Sequence, residues 1–142
     1  MSDEKSPLQL EYEALLVEEA QYEASERERK LKREVELMKL KKRFRAELGV
    51  QGVDWDVIDG HATFVVVKLG EAVLHKTFTE AVAKKGKPDG TDLDAFVPPN
   101  VVHPSREAYL ELVGRKPAVA VRCANALIGL YGAADEVYAG KF

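Results

Sequence analysis

Apolar positions fall in interrupted patches over the first third of the chain and in short dense runs thereafter. Between Pro7 and Leu48 there is no further Gly or Pro, and Glu, Lys, Arg, Leu and Ala, all strong helix formers, dominate. Ser6 followed by Pro7 suits an N-cap and first helical position, and Gly49 suits a helix stop. The pattern predicts one helix of about 40 residues, roughly 60 Å long. Within it, Leu8, Tyr12, Leu15 and Leu16 share one face, and Glu19 ends their stripe. Leu31, Val35 and Met38 share a face nearer the other end, and Leu37, Leu40, Phe44 and Leu48 share another. Tyr22 to Lys30 is almost wholly polar, so the helix does not sustain the apolar pairs that a coiled coil needs through several heptads.

Two sticky ends on a solvated rod are therefore expected. Leu37, Leu40, Phe44 and Leu48 are expected to dock on the following domain, with Trp55 as an anchor at its edge. Leu8, Tyr12, Leu15 and Leu16 are expected to bind another protein, because an exposed apolar patch at the tip of a rod is otherwise costly.

After Gly49 the pattern changes. Residues 50–61 read as a link. Ala62 to Lys68 and Ala72 to Phe78 are rich in β-branched and aromatic residues and flank Leu69-Gly70-Glu71, which predicts a β-hairpin over 62–78. Thr79 to Lys85 adds a helical turn or two, and Lys84 to Thr91, with Pro88-Asp89-Gly90, is a loop. Asp92 to Val97 is a short helical element before Pro98-Pro99. Ser105 opens a helix over about 105–113 ended by Gly114, and Pro117 opens another over 117–131 ended by Gly132. In the latter, Val119, Cys123, Ala126, Leu127, Leu130 and Tyr131 form the buried stripe. Residues from Ala133 to Phe142 form a tail. The expected fold is α+β and helix-dominated: an arm over 1–49, a link over 50–61 and a compact domain over 62–142.

Charge supports the arm. The first 50 residues carry 12 acids and 11 bases, and the whole chain of 142 residues has a net charge of −3. Acids prevail from Glu11 to Glu26 and bases from Arg27 to Arg45, the order that complements a helix dipole. A balanced total charge exerts no strong pull toward nucleic acid or anionic lipid. The basic run Lys39 to Arg45 sits where helix electrostatics favours bases, which leaves nucleic-acid regulation as a remote alternative. The single Cys123 precludes an intramolecular disulfide and fits a reducing compartment. The acidic start lacks the features of a signal peptide, and no run approaches a membrane span. These readings point to a soluble intracellular protein.

Candidate chemistry is sparse. His61, His75 and His103 lack metal-ligand spacing, and Cys123 falls on a packed helix face where a thiol is inert. Asp54, Asp56, Asp59 and Gly60 suggest a calcium loop, but the third acid and the Gly fall one position late and no Glu follows at the twelfth. No catalytic residue, metal ligand or cofactor is expected, and the chain reads as non-enzymatic.

The segment Val101 to Gly132 (VVHPSREAYLELVGRKPAVAVRCANALIGLYG) resembles small tailed-bacteriophage proteins related to tail assembly chaperones. The matching features are Val101-Val102, His103, Pro104-Ser105, Arg106, Tyr109, Leu112, Pro117, Ala124, Leu127 and Gly132. With the expected hairpin, the resemblance spans about Phe64 to Gly132. It implies a phage protein without catalysis that holds other phage structural or tail proteins before assembly, located in the host cytoplasm or in the virion. A structural virion component docked through the long helix is the alternative, and copies of the chain itself are further candidate partners.

Overall fold

The computed structural model describes residues 4–139, with side chains over 4–132. The ends of the expected arm (1–3) and tail (140–142) lie outside the described residues. The chain divides into two units, Met1–Lys42 and Arg43–Phe142.

The first unit consists of most of helix α1, Pro7–Leu48. Its start is a reciprocal cap. Ser6 Oγ accepts the Gln9 N–H at 3.2 Å, and the Gln9 side-chain oxygen accepts the Ser6 N–H at 2.9 Å. Along the helix Lys5 pairs with Glu13 (2.7 Å) and Glu26 with Arg29 (2.9 Å). Such exposed pairs add only a few tenths of a kcal/mol each, about 0.3–0.5. Helix propensity over an unbroken run is therefore the main local reason for its length. The helix ends where Gly49 takes a φ of 101° and donates its N–H to Arg45 O at 3.0 Å. Among the described residues no helix is long and apolar enough to cross a membrane.

The second unit takes the last turn and a half of α1 and builds on a three-stranded antiparallel sheet in the order β1-β2-β3: Trp55–Asp59, Phe64–Lys68 and Val101–His103. Helices α2 (Ala72–Lys85), α3 (Gly90–Phe96), α4 (Arg106–Arg115) and α5 (Ala118–Ala139) complete it. The central strand β2 runs Phe-Val-Val-Val and is buried on both faces. Val65 and Val67 join Ile58, Phe78, Phe96, Val97, Tyr109, Leu112, Val119, Cys123 and Leu127 in one core. Pairing places Val57 beside Val66 and His103 beside Val66, so Trp55, Val57, Phe64, Val66 and His103 line the opposite face.

A β-hairpin is present, formed by β1 and β2, but the bounds expected for it, 62–78, are corrected. The expected first strand is β2, but residues 72–78 begin helix α2, and β2 pairs instead with β1 and β3. The physical reason lies in spacing. Leu74, Phe78 and Val82 recur every four residues. A strand would carry Lys76 and Glu80 on that same face, whereas a helix turns both outward, and both are exposed. The helix then stops at Gly86, whose φ is 83°. The link expected over 50–61 is likewise corrected, since it contains strand β1. Two helix ends also move outward. Gly114 lies inside α4 and Gly132 inside α5. Both are exposed, and an interior glycine costs only about 1 kcal/mol relative to alanine.

Candidate functional site

Three places stand out: the free face of α1, the joint at its C-terminal end, and a groove on the globular unit. The four residues expected to bind a partner lie on the first of these. Leu8 is 75% exposed, Tyr12 63%, Leu15 55% and Leu16 51%. At about 100° per residue they occupy roughly one quarter to one third of the helix circumference. Glu11, Glu13, Glu18 and Glu19 surround them. The face therefore combines uncovered apolar area with a negative border.

The residues expected to dock on the domain divide between the units. Leu37 and Leu40 are half-buried members of the first unit. Phe44 and Leu48 belong to the second, where Phe44 is 2% and Trp55 0% exposed and Leu48 is half-buried. Trp55 is thus fully buried although it lies on the edge strand β1. Phe44 sits on the strand face opposite the main core, with ring centroids 6.4 Å from Trp55 and 5.7 Å from His103. Trp55 donates its indole N–H to Gly49 O at 3.1 Å, closing the turn that follows the helix. Arg43 lies over the Phe44 ring, 4.9 Å from its centroid. Burial, helped by the positive charge of Arg43, holds the His103 pKa below its ordinary 6.5.

The groove went unnoticed in the sequence. It encloses about 330 Å³ between α2, the start of α3 and α5. Phe78, Val82, Leu93, Val121 and Ile128 supply most of its wall. The signal that could have revealed it is the four-residue spacing of Leu74, Phe78 and Val82, masked when residues 72–78 are read as a strand. Nearby, Lys85 bridges Asp89 (2.7 Å) and Asp92 (3.0 Å). The Lys85 hydrogen bond, followed by the Asp92 N–H, lowers the Asp89 pKa to about 2 and so keeps the helix cap charged.

The chemistry-bearing side chains are scattered. His61 Nε2 lies 3.2 Å from Arg122, which also donates to Asp59 O at 3.3 Å. His75 stacks on Tyr131 with centroids 4.2 Å apart, and the Tyr131 hydroxyl donates to the carbonyls of Gly70 and Glu71. Cys123 is fully buried, which pushes its thiol up to about 12. Asp56 and Asp59 spend carboxylate oxygens on the backbone N–H groups of Val57 and His61. Among the described residues no three His, Cys, Asp or Glu side chains gather as metal ligands.

The chain matches no family model, no curated protein and no solved structure.

Proposed function

We propose that this is a non-enzymatic binding protein that captures another protein through the N-terminal face of α1. The observation that carries the reading is the exposure of Leu8, Tyr12, Leu15 and Leu16 together on one side of the helix. Apolar area of this kind lowers its free energy by about 25 cal/mol for each Å² that a partner removes from water. The glutamates around it favour a partner whose apolar groove has a basic rim. The narrower form of the proposal is a bacteriophage tail assembly chaperone that keeps a tail protein soluble before assembly. Its support is the resemblance over Val101 to Gly132, a segment that here forms β3, α4 and most of α5. The 42-residue length of α1 favours a second reading, a virion component that threads between neighbouring subunits.

Co-expression tests the proposal. A phage tail protein that is insoluble alone should stay soluble beside the full chain. It should precipitate beside a variant in which Leu8, Tyr12, Leu15 and Leu16 are all serine. Equal solubility with both chains would refute the assignment of this face. Mass spectrometry of purified particles separates the two forms, since a virion component remains in the particle and a chaperone does not.

A further inference from the structure

Helix α1 carries a second apolar row, turned by roughly 130° about its axis from the Leu8, Tyr12, Leu15 and Leu16 face. Every seventh residue from Leu10 is apolar: Leu10, Val17, Ala24, Leu31 and Met38. The large members are uncovered, with Leu10 55%, Val17 57%, Leu31 62% and Met38 69% exposed. A seven-residue repeat keeps one row facing a single partner helix along its length. The positions that would complete such a seam are Ala14, Gln21, Glu28, Val35 and Lys42. This second row is mixed, which is why a test for two apolar rows fails. A shallow depression bordered by Glu28, Leu31, Lys32, Val35 and Glu36 lies along the same side.

We infer that this face pairs with the same face of a second copy of the chain, the two helices running antiparallel. Charge order selects that occupant. The residues flanking the apolar row read Glu11, Glu18, Ser25, Lys32 and Lys39, two acids, a neutral centre and two bases. Reversing one copy sets Glu11 opposite Lys39 and Glu18 opposite Lys32, and two-fold symmetry repeats both pairs. The same register sets Val17 against Val35 and Met38 against Ala14. On the other flank Glu13 meets Lys41, although Lys5 of its own chain already holds Glu13 at 2.7 Å. Arg27 meets its own copy, a like-charge contact at an exposed rim. A parallel pair is worse, because it brings Glu13 toward Glu18 and Arg27 toward Lys32. Gln21, Glu28 and Lys42 fall opposite Leu31, Ala24 and Leu10 in this register and weaken the seam, so the flanking charges set the register. The apolar row is distinct from Leu8, Tyr12, Leu15 and Leu16, but Glu11, Glu13 and Glu18 border both faces, so it is the V17C/V35C trap below that tests the pairing without touching the partner-binding face.

Light scattering on the full chain tests the pairing. The wild-type chain should be a dimer at about 100 µM, a concentration that reveals even weak association. E11K/E18K and K32E/K39E each put like charges together and should weaken the dimer by about tenfold or more. Mixed in equal amounts, these two variants regain complementary flanks and should dimerise with each other. A disulfide trap covers the case in which a charge variant loses helix. V17C/V35C should form interchain disulfides readily under mild oxidation, whereas V17C alone should not. The buried Cys123 thiol does not compete. A monomeric wild-type chain, charge variants that dimerise unchanged, or efficient cross-linking by V17C alone would overturn the inference.

Discussion

Phe44, on the last turn of α1, meets Trp55, the first residue of β1, with ring centroids 6.4 Å apart and planes inclined by 52°. Phe44, near the end of the long helix, is therefore part of the globular unit's interior and packs against Trp55 and His103 on the sheet face opposite the main core. Truncating Phe44 should destabilise the sheet rather than merely free the arm. F44A is expected to cost about 3–5 kcal/mol, the usual penalty for removing a buried aromatic ring. Urea unfolding followed through Trp55, the single tryptophan, reads the loss directly. A midpoint unchanged from wild type would show that the joint is dispensable.

The same joint should respond to pH. His103 touches Phe44 and has its pKa depressed below 6.5, first by burial and then by Arg43. The unfolded chain therefore binds a proton here more readily than the folded chain, so stability rises with pH through this window. It should be intact above pH 6.5 and decline as pH falls below that value toward the folded pKa. His103→Gln should flatten this part of the profile when unfolding midpoints are compared at pH 7.5 and 5.5. An equally steep decline in the variant would place the sensitivity elsewhere.

Gly70 stands before α2, where an added Cβ would collide with the side-chain oxygen of Asn100. Asn100 is held in place, because it is buried and donates its amide to Phe96 O at 2.7 Å. G70A should accordingly destabilise by about 1–3 kcal/mol, as forced overpacking does. G114A, at a site with open space, should be neutral or slightly stabilising. Thermal melts of the pair give the comparison, and equal melting temperatures would contradict it.

Cys123 should be silent in the native protein. Its burial and raised pKa leave almost no thiolate at pH 8, so a thiol reagent should label it only on unfolding. Rapid labelling without denaturant would mean that α5 detaches readily from the core.

Reading the chain alone recovers elements that depend on near neighbours. Helix α1 follows from an unbroken run of helix formers between Ser6 and Gly49, and its caps occur where those residues predict them. The helices after Ser105 and Pro117 are legible for the same reason, as is a helix-dominated α+β fold. The exposed faces of α1 are also set by spacing, since an isolated helix has little else to arrange them.

What tertiary structure decided is which segments share the sheet. Trp55–Asp59 and Ala72–Phe78 are both short stretches able to form a strand, and local preference is too weak to rank them. The choice falls to burial. Trp55 reaches an interior completed by Phe44 and His103, while Leu74, Phe78 and Val82 reach the core only if residues 72–85 coil into a helix. Those contacts join residues far apart in the chain, so no window of sequence contains the energy that selects them. The groove beside α2 exists for the same reason, whereas the apolar face of Leu8, Tyr12, Leu15 and Leu16 was written in helical spacing from the start.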